Sequence, residues 1–239
     1  MTALAGRTAI VTGASRGIGS AIARGLADGG ARVGLIARTR PALEQLRAEL
    51  GESAVVIECD VTDIGSVSSA AARVREAFGG APDIIVNNAG LFRVAPLDTM
   101  SPEDFVGSVQ TNLVAPFLVL HEFLAEMRAR QRGHVVTIGS VADREIFPEN
   151  AAYAASKFGV RALHEVLRLE LNGTGVRATL VSPAAVNTEL WNGFDTGANQ
   201  QRFPTRDNML DADAVARAVM FAVTQPPSVN VDELRLSRA

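Results

Sequence analysis

The chain of 239 residues contains one tyrosine, Tyr153, and one lysine, Lys157. The other basic residues are all arginine, 23 − 1 = 22 of them. On a helix, side chains four residues apart share a face. A phenol has an ordinary pKa of about 10, too high for easy proton exchange at neutral pH. A cation a few ångström away favours the phenolate and lowers that value. The pair therefore reads as a proton donor with its activator, if the helix carries both into a cleft. The same spacing otherwise describes a surface pair. A compact ammonium, where every other basic residue is a broad guanidinium, suits a place beside a phenol.

A second group lies far upstream. Thr12-Gly13-Ala14-Ser15-Arg16-Gly17-Ile18-Gly19 follows an apolar run and opens an amphipathic stretch. A glycine-rich turn there lets the backbone approach a pyrophosphate, which sits on the helix N-terminus. The spacing is Gly-x-x-x-Gly-x-Gly rather than Gly-x-Gly-x-x-Gly. Glycines also serve plain turns. The position between a first strand and a first helix favours a nucleotide.

Hydrophobic periodicity predicts the elements that must position these residues. Apolar runs predict strands at 8–11, 32–37, 54–57, 83–86, 135–138, 176–181 and 234–236. Helical spacing predicts helices at 17–27, 41–50, 151–171 and 211–223, with another after the third strand that buries Val67, Ala71, Val74 and Phe78. A long helix is predicted from a Ser101 cap and Pro102 to residue 130, turning Phe105, Val109, Leu113, Phe117, Leu120 and Leu124 inward. Strands apolar on both faces that alternate with helices imply an α/β fold, a doubly wound parallel sheet covered on both sides. No linker or repeat divides residues 1–239, so a single domain is expected. The segment 189–209 mixes aromatics with Gly, Asn and Gln and lacks a period, which predicts a lid.

Composition narrows the function. The net charge of −3 disfavours a nucleic-acid partner. The single cysteine, Cys59, excludes an intrachain disulfide and a cysteine-rich zinc site, and is expected half-buried at a strand end. His121, His134 and His164 have no metal-ligand spacing, so no metal is expected. No run approaches the roughly 20 apolar residues of a membrane span. No charged stretch followed by an apolar one opens the chain, and a cytoplasmic protein is expected.

Three motifs in order resemble the short-chain dehydrogenase/reductase family: residues 12–19, Asn87-Asn88-Ala89-Gly90, and Tyr153-x-x-x-Lys157. The resemblance runs essentially the whole length. It implies a Rossmann-type fold of about seven strands and a nicotinamide cofactor. The cofactor half would be residues 1–90 and the catalytic and substrate half 91–239. It further implies that Tyr153 is general acid in carbonyl reduction and general base in alcohol oxidation. Lys157 would lower the Tyr153 pKa and hold the nicotinamide ribose. Ser140 matches the serine that hydrogen-bonds the substrate oxygen, and Asn112 the fourth catalytic position. Pro116 has no N–H to give the Asn112 carbonyl, so the helix should bend there and a water bridge that carbonyl to Lys157.

The implied cofactor contacts are Gly13, Ser15, Arg16, Gly17, Ile18 and Gly19 in the turn and Asp60 with Val61 at the adenine. Asn88, Ala89 and Gly90, the pair Tyr153 and Lys157, and Pro183, Val186 and Thr188 complete them. Ala184 replaces a family glycine; if that glycine serves a positive φ, the turn must relax or strain. NAD enzymes place an acid at the end of the second strand. Here Ala37 is followed by Arg38, with Arg16 in the turn. A guanidinium pairs with a 2′-phosphate that a carboxylate would repel, so NADP(H) is expected.

Phe92, Ala142, Phe147 and Trp191 are the substrate candidates, with Arg93, Glu145 and Phe194 beside them. The mixture suggests an apolar or aromatic carbonyl compound or the matching alcohol. One alternative is a 3-oxoacyl-(acyl carrier protein) reductase, whose acidic carrier would seek Arg128, Arg130 and Arg132. Those arginines otherwise form a solvated helix end. Another is a nucleotide-sensing protein without catalysis, which need not keep Asn112, Ser140, Tyr153 and Lys157 together. The resemblance also implies a homotetramer or homodimer, built on the helices near 101 and 151, and no membrane partner.

Overall fold

A computed structural model describes residues 2–192 and 203–239. Phe194 and the middle of the expected lid lie outside the described residues.

The strands are β1 (Thr8–Thr12), β2 (Arg32–Ala37), β3 (Ala54–Glu58), β4 (Ile84–Asn87), β5 (Gly133–Ile138), β6 (Val176–Pro183) and β7 (Glu233–Leu236). They form one parallel sheet in the order β3-β2-β1-β4-β5-β6-β7. The order reverses between β1 and β4, which opens a crevice at the carboxyl ends. The helices are α1 (Gly17–Asp28), α2 (Arg40–Leu50), α3 (Ile64–Phe78), α4 (Pro102–Val109), α5 (Ala115–Ala129), α6 (Ala151–Glu170) and α7 (Ala212–Val223). Val11, Leu35 and Val86 pack on one face of the sheet with Ile22, Leu26 and Val219. Ile10, Ile57 and Ile85 pack on the other with Val74, Phe123 and Leu167.

The helix expected to run unbroken from 102 to 130 is interrupted. A π turn, Gln110–Val114, separates α4 from α5, and the Ala115 N–H reaches the Gln110 carbonyl five residues back. Pro116 leaves the Asn112 carbonyl without its α-helical donor, and a wide turn is one way a helix absorbs that. The expected inward face is corrected at two positions, while Leu120 is buried as expected and Val109, Leu113 and Leu124 are half-buried. Phe105 is 38% exposed and Phe117 49%, while Ser108, Asn112, Val119 and Phe123 are buried.

The amino ends of the strands gather on Asp83, which is 2% exposed. Its carboxylate accepts the Thr8 N–H at 3.0 Å and the Arg132 Nη2 at 2.6 Å. Arg7 and Arg130 stand at 3.7 and 3.8 Å. Burial alone would raise its pKa; the Thr8 N–H, Arg132 and Arg7 outweigh this and hold it below the usual range. Arg130 also donates to the carbonyls of Ala81 and Pro82. Arg130 and Arg132 are thus neither a free basic patch nor a merely solvated helix end.

The histidines are structural or exposed, as expected. His134 bonds Thr179 at 2.7 Å and His164 bonds Thr137 at 2.9 Å, both buried. His121 is exposed and stacks on Phe117. Cys59 is buried rather than half-buried, at 3% exposure, and burial pushes its thiol up. No described helix is long and apolar enough to cross a membrane.

Candidate active site

A cavity of about 910 Å³ lies along the carboxyl ends of the strands. At one end it is built from the glycine turn between β1 and α1. Gly13 and Gly17 adopt φ of +67° and +55°. A Cβ on Gly13 would lie 2.9 Å from the Ala89 Cα, and one on Gly19 would lie 2.2 Å from the Gly13 carbonyl oxygen. Only glycine allows this approach. Asn88 locks it, donating through Nδ2 to the Thr12 carbonyl at 2.9 Å. The Thr12 hydroxyl accepts the N–H groups of Asn88 and Ala89 at 3.0 and 3.1 Å. Arg16, the α1 N-cap, places no side chain on the first N–H groups of the helix. Those donors and the helix dipole suit an anion.

At the end of β2 the chain offers no acid: Ala37 is followed by Arg38, and the carboxylates near it, Glu58 and Asp60, belong to the end of β3 and the loop beyond. Arg16 and Arg38 are exposed, and neither makes an ion pair among the described residues. Asp60 accepts the Thr62 hydroxyl at 2.7 Å and its N–H at 3.0 Å. These bonds, and then Arg38, hold its carboxyl below the usual range. The turn, the donors and the two arginines fit a dinucleotide bearing an extra phosphate.

At the other end, β5 delivers Ser140 and α6 delivers Tyr153 and Lys157 to the same wall. Lys157 is 5% exposed and donates to the Ile138 carbonyl at 2.9 Å. Its Nζ sits 5.6 Å from the Tyr153 ring centroid. Burial pulls the ammonium down to about 8, with Asp143 opposing. The expectation of a lowered phenol pKa is corrected. Burial raises Tyr153 above its ordinary value; a hydrogen bond from Ser140 works against this and Asp143 adds to it. The ammonium is committed to a carbonyl and the ring face, so desolvation wins.

All the residues expected at the cofactor line the cavity, and so do Phe92, Ala142, Phe147 and Trp191. Asn112 does not; it is 2% exposed, behind the wall. Its Oδ1 accepts the Leu91 N–H at 2.7 Å, and its Nδ2 donates to the Leu91 carbonyl at 2.8 Å and to the Ser156 hydroxyl at 2.9 Å. It joins the loop after β4 to α6. Arg93 pairs with Asp104 at 3.1 Å and Glu145 with Arg235 at 3.2 Å, away from the lining. Ala184 strains nothing, because its φ is not positive and its N–H donates to the Leu236 carbonyl at 2.8 Å.

Phe203 and Leu190, inside the expected lid 189–209 but not singled out as substrate contacts because their segment has no period, also line the cavity. Phe92 meets Tyr153 edge-on at 4.8 Å and Trp191 at 5.1 Å. Trp191 meets Phe203 at 5.4 Å. Such pairs are worth about 0.5–1.5 kcal/mol each beyond their burial.

The sequence profile of the short chain dehydrogenase family matches residues 7–199. The chain belongs to this family. The D-threitol dehydrogenase of Mycolicibacterium smegmatis is 36% identical over 238 residues, 97% of this chain and 91% of that one. A metagenomic short-chain oxidoreductase solved in complex with NADP superposes with a TM-score of 0.85 at 34% identity, covering 99% of both chains. The closed form of a serine dehydrogenase complexed with NADP+ gives a TM-score of 0.88 at 31% identity, covering 95% of this chain and 93% of that one. The seven-stranded parallel sheet is the architecture of these short-chain dehydrogenases.

Proposed function

We propose that this short-chain dehydrogenase interconverts a carbonyl compound and an alcohol with NADP(H). The observation that carries the reading is one cavity that joins the glycine turn, Arg16 and Arg38 to Ser140, Tyr153 and Lys157. The two similar structures solved with NADP or NADP+ support the cofactor. NADP(H), when bound, supplies or accepts the hydride. The residues 13–19 hold its pyrophosphate, Arg16 and Arg38 its 2′-phosphate, and Asp60 with Val61 its adenine. Pro183, Val186 and Thr188 serve the nicotinamide.

Ser140 donates to the substrate oxygen, and Tyr153 gives that oxygen its proton in reduction and takes it back in oxidation. Lys157 is at hand as the cation that favours the phenolate. Asn112 acts at one remove, holding α6 against the loop after β4. The work divides between residues 1–90 for the cofactor and 91–239 for chemistry and substrate, with 189–209 as lid. The wall of Phe92, Trp191 and Phe203 favours an apolar or aromatic carbonyl. Engagement of Arg130 and Arg132 by Asp83 speaks against a docking patch for an acidic carrier.

Phe105, Val106, Val114 and Phe117 around the π turn, with Phe158, Val166 and Leu169 on α6, are exposed and apolar. They favour a homodimer or homotetramer; a monomer by sedimentation at micromolar concentration would contradict this. A cytoplasmic place and a small-molecule substrate complete the reading. Tyr153→Phe tests the chemistry. Turnover is expected to be lost while NADPH still binds, and activity within severalfold of the parent overturns the proton-donor role.

A further inference from the structure

Asp143 is fully enclosed, at 0% exposure, and none of the roles above uses it. It ends the single turn Val141–Asp143 that follows β5. Its Oδ2 accepts the Ser182 hydroxyl of β6 at 2.5 Å and faces the Ser140 N–H at 3.4 Å. The Ser140 hydroxyl in turn accepts the Ala142 N–H at 3.1 Å. Asp143 Oδ1 accepts Arg144 Nε at 2.9 Å, and the far arm of Arg144 reaches Glu233 of β7 at 2.5 Å. The packing leaves no slack. A Cβ on Gly139 would lie 2.6 Å from Asp143 Oδ2 and 2.7 Å from Ser182 Oγ.

The exit of β5 is thus held from two sides. Lys157 bonds the Ile138 carbonyl, and Asp143 braces Gly139 and Ser140. Ser140 lines the same wall as Tyr153 and holds its phenol down against burial. We propose that Asp143 is a positioning residue for Tyr153 and Lys157: its carboxylate holds Ser140 in register and supplies the negative charge that faces the pair, and Arg144 sets how much of that charge reaches them.

The catalytic consequence rests on Tyr153 and Lys157 being the reacting pair; the electrostatic claim does not. The Asp143 charge bears on both. Arg144 from the same turn and Glu233 from β7 lie behind it. Its charge favours the ammonium against the burial that pulls Lys157 down to about 8, and disfavours the phenolate.

Single occurrences make the test direct. NMR of isotope-labelled lysine reads Lys157 alone, and tyrosinate absorbance reads Tyr153 alone, with no substrate or cofactor present. Asp143→Asn is expected to lower both midpoints by on the order of one pH unit. Arg144→Gln, which removes the neutralising partner, is expected to raise both. A purely structural Asp143 moves melting temperature and activity but neither midpoint, and that result overturns the proposal. If Asp143→Asn is not recovered folded, Arg144→Gln decides: a raised Lys157 midpoint supports the proposal and an unmoved one overturns it. An active Tyr153→Phe beside shifted midpoints defeats the catalytic reading alone. An inactive Tyr153→Phe beside unmoved midpoints defeats the positioning proposal alone.

Discussion

Two buried carboxylates sit at opposite ends of the same sheet and meet different neighbours. Asp83, at the amino ends, faces three guanidinium groups and a backbone N–H. Asp143, at the carboxyl ends, meets one guanidinium, a serine hydroxyl and the Ser140 N–H, and its charge raises both Tyr153 and Lys157. The first is ringed by fixed cations, so its charge is spent on joining β1, β4 and β5. The second, as proposed, acts on groups that can exchange protons, which would carry its charge to the chemistry. The contrast follows the polarity of a parallel sheet, whose loops at the carboxyl ends bind ligands.

The comparison breaks most sharply through Tyr153→Phe, which removes the proposed proton donor at one end only. A loss of about 10²–10⁴-fold in kcat is expected from the missing acid–base step, with thermal stability unchanged. Asp83→Asn tests the other end. Leaving Arg7, Arg130 and Arg132 without their carboxylate is expected to cost about 3 kcal/mol, the low end for a broken buried pair, because these arginines can turn to solvent. Urea unfolding measures it, and kcat per folded molecule should hold. A variant with intact stability and damaged turnover would reverse the roles of the two ends.

A smaller effect concerns the cofactor end. Arg38→Asp exchanges attraction for repulsion at the 2′-phosphate and should move the kcat/KM ratio from NADPH toward NADH by about 10–100-fold, the range for a hydrogen bond to a charged group. An unmoved ratio removes Arg38 from the phosphate site.

The most gradual effect is graded with pH and belongs to the sheet interior. Burial pulls His134 from 6.5 to about 3 and His164 to about 4. The folded protein keeps both neutral while the unfolded chain gains protons below about 6.5. The unfolded state then binds more protons, so stability falls as pH drops from 6.5 toward 4, by up to about 1.4 kcal/mol per pH unit for each histidine. Urea midpoints across that range measure the slope, and His164→Asn should reduce it. A slope that survives the substitution assigns the acid sensitivity elsewhere.

Most of the fold was legible from local spacing. The seven strands and the bounds of α1, α2, α6 and α7 differ from expectation by at most two residues at an end, because period and turn residues are short-range signals. The face of α4 and α5 was not. Apolar residues at helical spacing named Phe105 and Phe117 as core, yet the π turn breaks the single period that the reading assumed, and both are exposed while Leu120 stays buried. In the site, the Tyr153–Lys157 spacing and the glycine turn each lie within one element, so sequence alone placed them.

What the sequence determined by itself, then, was the identity of the candidate reactive groups and the elements that carry them. Residues a few positions apart on a helix or a turn have their relative geometry set by backbone sterics. Tertiary structure decided their state. Tyr153 is raised rather than lowered because burial outweighs its neighbours. Asp143 gains meaning only from Ser182, 39 residues on, and through Arg144 from Glu233 on the last strand. Desolvation and long-range charge depend on which elements pack together, and no local spacing records that.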